Sequence, residues 1–153
     1  GRGEGGDAVP PAPTPPAAID DAEWRRRLAA IPGLDLTRGL DLMRGKAAKF
    51  ARLLEMFADG HADTPRRLDE WIAAGELSQA LELAHALKGS AGSLGALQLS
   101  ADADALQASI RRGEEPARVR QLADTVSAGL QAMIAGIRGL PAAPETPHPV
   151  SRQ

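Results

Sequence analysis

The chain has 153 residues, 43% hydrophobic and 25% charged, with a formal net charge of -2, which suits one self-sustaining domain. With no cysteine present, disulfide frameworks, thiolate metal sites and cysteine nucleophiles are excluded. A pI near 5.9 and only 3% aromatics, none of them tyrosine, argue against a nucleic-acid surface, and no run reaches the roughly 18 apolar residues that a membrane span needs.

The opening Gly1-Arg2-Gly3-Glu4-Gly5-Gly6 lacks both a starting Met and the apolar core of a signal peptide, so the chain is expected to be a piece of something longer. Residues 1–18 contain Val9-Pro10-Pro11-Ala12-Pro13-Thr14-Pro15-Pro16. That composition favours extended polyproline geometry and reads as a linker behind a preceding domain. Residues 141–153, beginning Pro141-Ala142-Ala143-Pro144, read as a disordered tail. Between them, residues 19–140 repeat apolar positions every three to four residues without strand-like alternation, the period of helices.

Asp20 or Asp21 can cap a short helix that ends before Pro32-Gly33. In it Trp24 is a packing residue that pins the helix to the body. Arg25-Arg26-Arg27 follow Asp20, Asp21 and Glu23, so they read as a solvated face. Thr37 can cap a brief helix that Gly45 stops. Phe50, Leu53, Leu54 and Phe57, then Leu68, Trp71 and Ile72, hold one seam across Pro65. This predicts a single long helix kinked at the proline, with two helices broken at Thr64-Pro65 as the alternative. His61 lies in Asp59-Gly60-His61-Ala62-Asp63, one imidazole among carboxylates, and reads as a solvated turn rather than a metal site. His148 falls in the proline-rich tail and carries no role.

Gly75 ends that element, and Ser78 can cap a helix bearing Leu81, Ala84, Leu87, Ala91 and Leu94. After Gly95 comes a helix with Leu99, Ala103, Leu106 and Ile110 on one side, ending at Gly113. Glu115-Pro116 opens a last helix with Val119, Leu122, Val126, Leu130, Met133 and Ile137, closed by Gly139 and Pro141. Its heptad-like seam reads as bundle core rather than a dimer zipper. The predicted class is all-α: an antiparallel four-helix bundle with short additional N-terminal helices.

The stretch that carries chemistry runs from Ala84 to Gly95. At about 100° per residue, Leu83, Leu94, Leu87, Ala80, Ala91 and Ala84 share one arc, and His85 points roughly 140–150° away from its centre. Gly89 and Gly92, at i+4 and i+7, flank the imidazole, and Lys88 at i+3 is its neighbour. A glycine inside a helix costs about 0.8–1 kcal/mol relative to alanine. Two beside an exposed histidine therefore serve something other than stability: they clear space for another molecule to approach the ring. The competing reading is a helix that stops at Gly89 in a C-cap, with Gly95 as a later terminator. An ammonium close by offsets phosphoryl charge, and an ordinary imidazole, with a pKa of about 6.5, is largely neutral and nucleophilic near pH 7.

The run His85-x-x-Lys88-Gly89-Ser90-Ala91-x-x-Leu94-Gly95 resembles the signature of histidine phosphotransfer (HPt) domains of multistep two-component phosphorelays, often found in hybrid sensor histidine kinases. The similarity in layout extends over residues 32–137. The resemblance implies that His85 is the phosphoacceptor, at Nε2, that Lys88 stabilises the phosphoryl oxygens, and that Gln107 in the next helix orients the histidine. It places the partner's approach on Ser78, Leu81, Glu82, Gly89, Gly92 and Ser93. It also implies a cytoplasmic, monomeric phosphocarrier without catalysis of its own. Its partners would be receiver domains, not nucleic acid or membrane. The chain itself would hold no metal or other cofactor, Mg²⁺ belonging to the receiver. Two other readings stay open: a helical docking module that is never phosphorylated, and an enzyme using His85 as general base with Glu82 at i−3.

Overall fold

The computed structural model describes residues 20–42 and 46–141, and every regular element among them is a helix. The linker read at 1–18, the tail beyond Pro141 and the stop at Gly45 lie outside these residues. Helix α1 spans Asp21–Ala29 and is capped by Asp20, whose carboxylate accepts from the Glu23 N–H at 2.8 Å, a bond worth about 1 kcal/mol. Arg25 folds back on Asp21, and Arg26 and Arg27 on Glu23, which makes the basic run a self-neutralised solvated face. Trp24 and Leu28 are fully buried and fix α1 to the body.

Helix α2, Leu36–Leu42, begins earlier than Thr37 would dictate. Asp35 takes the capping role, its carboxylate accepting from the Arg38 N–H at 3.0 Å, and Thr37 sits exposed inside the first turn. The long seam after it resolves into two helices, α3 (Ala47–Gly60) and α4 (Thr64–Ala74). The apolar period allows either arrangement, and Pro65 decides. It has no N–H to offer the His61 carbonyl, and its ring crowds that carbonyl in a continuous helix. The chain turns through residues 61–63, where the Thr64 N–H closes on the His61 carbonyl at 3.1 Å, and α4 restarts with the proline in its first turn. Phe50, Leu54, Phe57 and Leu68 are all buried, so the seam survives the break.

Gly75 adopts the left-handed conformation (φ 75°), which lets the Glu76 N–H turn back onto the Trp71 carbonyl at 2.8 Å and ends α4. Helix α5 (Leu77–Ser93) then starts after Glu76, so Ser78 lies within its first turn rather than capping it. Helices α6 (Leu97–Arg111) and α7 (Pro116–Arg138) follow. The joints between α4, α5, α6 and α7 are only a few residues long, and consecutive helices pack on each other, so each must reverse direction. Helix α4 also packs on α7 and closes the ring of four. The seam of α7, from Val119 through Val126, Leu130 and Met133 to Ile137, is buried within this chain as core.

One joint positions the site. Gly95 (φ 84°) separates α5 from α6, and a Cβ there would come within 2.8 Å of the Gly39 nitrogen and 2.9 Å of the Asp35 carbonyl oxygen. Only glycine fits. The Asp35 N–H in turn donates to the Gly95 carbonyl at 2.7 Å, which holds the start of α2 against the end of α5.

Candidate functional site

Helix α5 has two unlike faces. Ala80, Ala84, Leu87 and Ala91 are buried, with Leu94 just beyond the last turn, while Leu83 is partly buried against the same core. Small residues along this face let α6 come close. His85 lies on the other side, exposed. The helix continues past Gly89 to Ser93, which overturns the reading of a C-cap at Gly89; Gly95 is the terminator.

His85, Lys88, Gly89, Gly92 and Ser93 line one open concavity of about 540 Å³. Arg38 from α2 and Leu97 and Ser100 from the start of α6 complete its wall. The two glycines differ. A Cβ on Gly89 would meet nothing within 4 Å, so that position is open space, whereas one on Gly92 would touch the Ser100 hydroxyl at 3.4 Å. Gly89 gives clearance and Gly92 gives packing room. Hydroxyls in this stretch are bonded to backbone carbonyls: Ser93 donates to the Gly89 carbonyl at 2.9 Å, Ser100 to the Lys88 carbonyl at 2.9 Å and Ser90 to the Ala86 carbonyl at 3.1 Å. The hydroxyl of Ser93 is thus turned onto its own helix.

The imidazole is held from below. Gln107, on α6, is 2% exposed, and the end of its amide lies 3.0 Å from Nδ1 of His85. That same end faces the Arg111 guanidinium, 3.2 Å from Nη1 and 2.9 Å from Nη2. A guanidinium only donates, so the amide atom it meets is the oxygen. Oε1 of Gln107 therefore accepts from Nδ1–H of His85 as well. With the ring proton on Nδ1, the neutral imidazole carries its lone pair on Nε2, the nitrogen with no hydrogen-bond partner among the described residues.

Charge around the ring is mixed. The Lys88 ammonium donates to Asp104 of α6 at 2.9 Å. The hydrogen bond and charge of Lys88 hold the Asp104 carboxyl below its usual range, with a smaller contribution from Arg111. Lys88 is thereby kept beside the concavity, and both groups stay in contact with solvent. Arg38 supplies a second cation to the lining. Leu97, 41% exposed, supplies an apolar surface.

Three residues assigned to the approach surface lie outside this concavity. Ser78 and Leu81 are further toward the start of α5, outside the concavity, and Leu81 is half-buried. Glu82 lines a different groove with Arg67 and Trp71, and the described contacts of the His85 ring run to Gln107, not to Glu82. His61 sits in the turn between α3 and α4, as expected, but it is half-buried rather than solvated. Its Nδ1 lies 3.0 Å from the Thr64 hydroxyl and its Nε2 3.1 Å from the Ser90 hydroxyl, its ring packs 4.8 Å from that of Phe57, and burial lowers its pKa. No group of three or more metal-ligating side chains occurs among the described residues, and His148 lies outside them.

Sequence reasoning missed Arg38, Leu97, Asp104 and Arg111. Arg111 had a signal, standing one turn beyond Gln107 on the same helix. Arg38 had none, because its place depends on the bond between Asp35 and Gly95.

No helix among the described residues is long and apolar enough to cross a membrane. No curated protein and no solved structure matches the chain. A family model described as Hpt domain matches residues 52–139, which takes in α4 to α7, most of α3 and the whole run around His85. With that match across more than half its length, and a helical bundle bearing an exposed imidazole at the matched motif, the chain belongs to the Hpt domain family, phosphocarriers of two-component phosphorelays that interact with receiver domains.

Proposed function

We propose that His85 accepts a phosphoryl group from the aspartyl phosphate of a receiver domain and passes it to another receiver aspartate. The Nε2 lone pair attacks phosphorus in line, a N–P bond forms, and the bond from phosphorus to the aspartyl oxygen breaks to release the carboxylate. The Nδ1 proton stays where it is. As the ring gains positive character, the Gln107 oxygen on Nδ1–H offsets it. Lys88 and Arg38 flank the position of the phosphoryl oxygens and stabilise their charge. Transfer of this kind depends on positioning and charge more than on covalent help from the protein, so the catalytic groups and Mg²⁺ are assigned to the receiver. Partner contact falls on Gly89, Gly92 and Leu97. Such chemistry is cytoplasmic, and a hybrid sensor kinase is the parent that fits a module of this type.

The observation that carries this reading is an exposed imidazole with one nitrogen committed to a buried acceptor and the other left open. Incubating the chain with a labelled phospho-receiver should give an acid-labile, alkali-stable adduct, and His85→Gln should abolish it. Label that persists in His85→Gln would move the acceptor elsewhere. Receiver binding without any label would make the chain a docking module.

A further inference from the structure

We propose that Arg111 sets the tautomer of His85 without touching it, and so acts as a positioning residue for the transfer. The proposal rests on the reading of His85 as phosphoacceptor and adds how its reactive nitrogen is chosen. A glutamine beside an imidazole is ambiguous, because its amide has a donor end and an acceptor end of the same shape. With the oxygen forward, Nδ1 carries the proton and Nε2 is bare. With the NH₂ forward, Nδ1 must accept, the proton moves to Nε2, and the exposed nitrogen has no lone pair to offer. Free histidine in water prefers the second form, so Gln107 alone does not secure the first.

The guanidinium removes the ambiguity. Both of its terminal nitrogens converge on the amide end that faces Nδ1, at 3.2 and 2.9 Å. Turning the NH₂ to that position would set donors against donors. Gln107 is buried, so water cannot relieve the clash. Arg111 reaches it from one turn along α6, in the last turn of that helix, where a cation also suits the helix dipole. No ion pair to Arg111 is formed among the described residues, which leaves its fork for the amide. The chain of command runs Arg111, Gln107, Nδ1, Nε2.

The test is ring ¹⁵N NMR of His85 in the full chain, at a pH where the imidazole is neutral. The native chain should show a protonated Nδ1 and a bare Nε2. Arg111→Ala should shift the ring toward the Nε2–H form and slow phosphoryl uptake about fivefold, in proportion to the lost share of the competent tautomer. Arg111→Lys keeps the charge at the helix end but loses the fork, so its spectrum should fall between the two. A carboxylate has no donor end, so adding Gln107→Glu to Arg111→Ala should restore the Nδ1–H signature. Native ¹⁵N shifts in Arg111→Ala, or no restoration in the double variant, would overturn the proposal. Failure of the phosphoacceptor reading would look different: no label on the native chain, with the nitrogen shifts still reporting on Arg111.

Discussion

Two histidines lie among the described residues of the bundle, and they are put to opposite uses. His61 has a hydroxyl at each ring nitrogen, from Thr64 and Ser90, and is packed on Phe57. His85 has one nitrogen bonded to Gln107 and the other open in an uncrowded concavity. One ring nitrogen must donate and the other accept in a neutral imidazole, so His61 has no lone pair left and serves as a strut between the α3–α4 turn and α5. His85 keeps one. The residue type is the same at both places. What differs is how many of its hydrogen-bonding sites the fold has already filled, and how much room remains around the ring.

The sharpest way to break this contrast is to take away the room and leave the bonds. At Gly89 a side chain meets nothing within 4 Å, so Gly89→Leu should fold as well as the native chain or better, by about 0.5–1 kcal/mol from helix propensity. Transfer from a phospho-receiver should nonetheless fall by about a hundredfold or more, because blocking close approach removes the positioning on which transfer depends. Thermal melting and stopped-flow transfer kinetics on one preparation check both halves. Unchanged kinetics would show that clearance at Gly89 is irrelevant and that nitrogen availability alone separates the histidines.

Much of this was legible locally and some was not. The buried arc of α5 and the outward position of His85 follow from helical period, and the flanking glycines mark the site because they oppose local helix stability. The family resemblance names Gln107 as the orienting residue, while its local pattern shows only a polar residue beside the apolar stripe of Ala103 and Leu106; its bond to His85 needs the alignment of two helices. The single kinked helix expected across Pro65 is two helices, because the apolar seam is the same with or without a break and the missing N–H of Pro65 decides it. His61, expected to be solvated, is half-buried. The stretch around it is polar and contains Gly60, while the partner that buries its far nitrogen, Ser90, stands on another helix. Arg38 reaches the site through a single backbone bond at Gly95, which no local pattern encodes.

A smaller effect sharpens the His85 side of the contrast. Lys88→Ala removes the ammonium beside the concavity and leaves the ring, Gln107 and Gly89 in place. Its pair with Asp104 is a solvent-exposed one, of the kind that adds little to stability, so the melting temperature should stay where it is. Transfer should slow about tenfold, the size of one charge-assisted hydrogen bond to a phosphoryl oxygen. A Lys88→Ala chain that transfers at the native rate would assign the charge stabilisation to Arg38 and the receiver alone.

The smallest expected effect tests the strut. Burial lowers the pKa of His61 in the fold below its ordinary value of about 6.5, so between the two values the unfolded chain binds the extra proton and the folded chain does not. Stability therefore rises with pH across that window. The contribution of neutral His61 is complete above about pH 6.5 and is lost as the pH falls through the lowered folded value. Protonation also turns both ring nitrogens into donors, which the Thr64 and Ser90 hydroxyls must then both accept. Denaturant midpoints measured from pH 7.5 down to about pH 5 should fall in the native chain, and the slope should flatten in His61→Gln. The same variant should keep phosphoryl uptake at His85 within about twofold, since the two rings share no hydrogen-bond partner and effects at independent sites couple weakly. An equal slope in His61→Gln would mean that His61 titrates as a solvated residue, and the division of labour between the two rings would lose its physical basis.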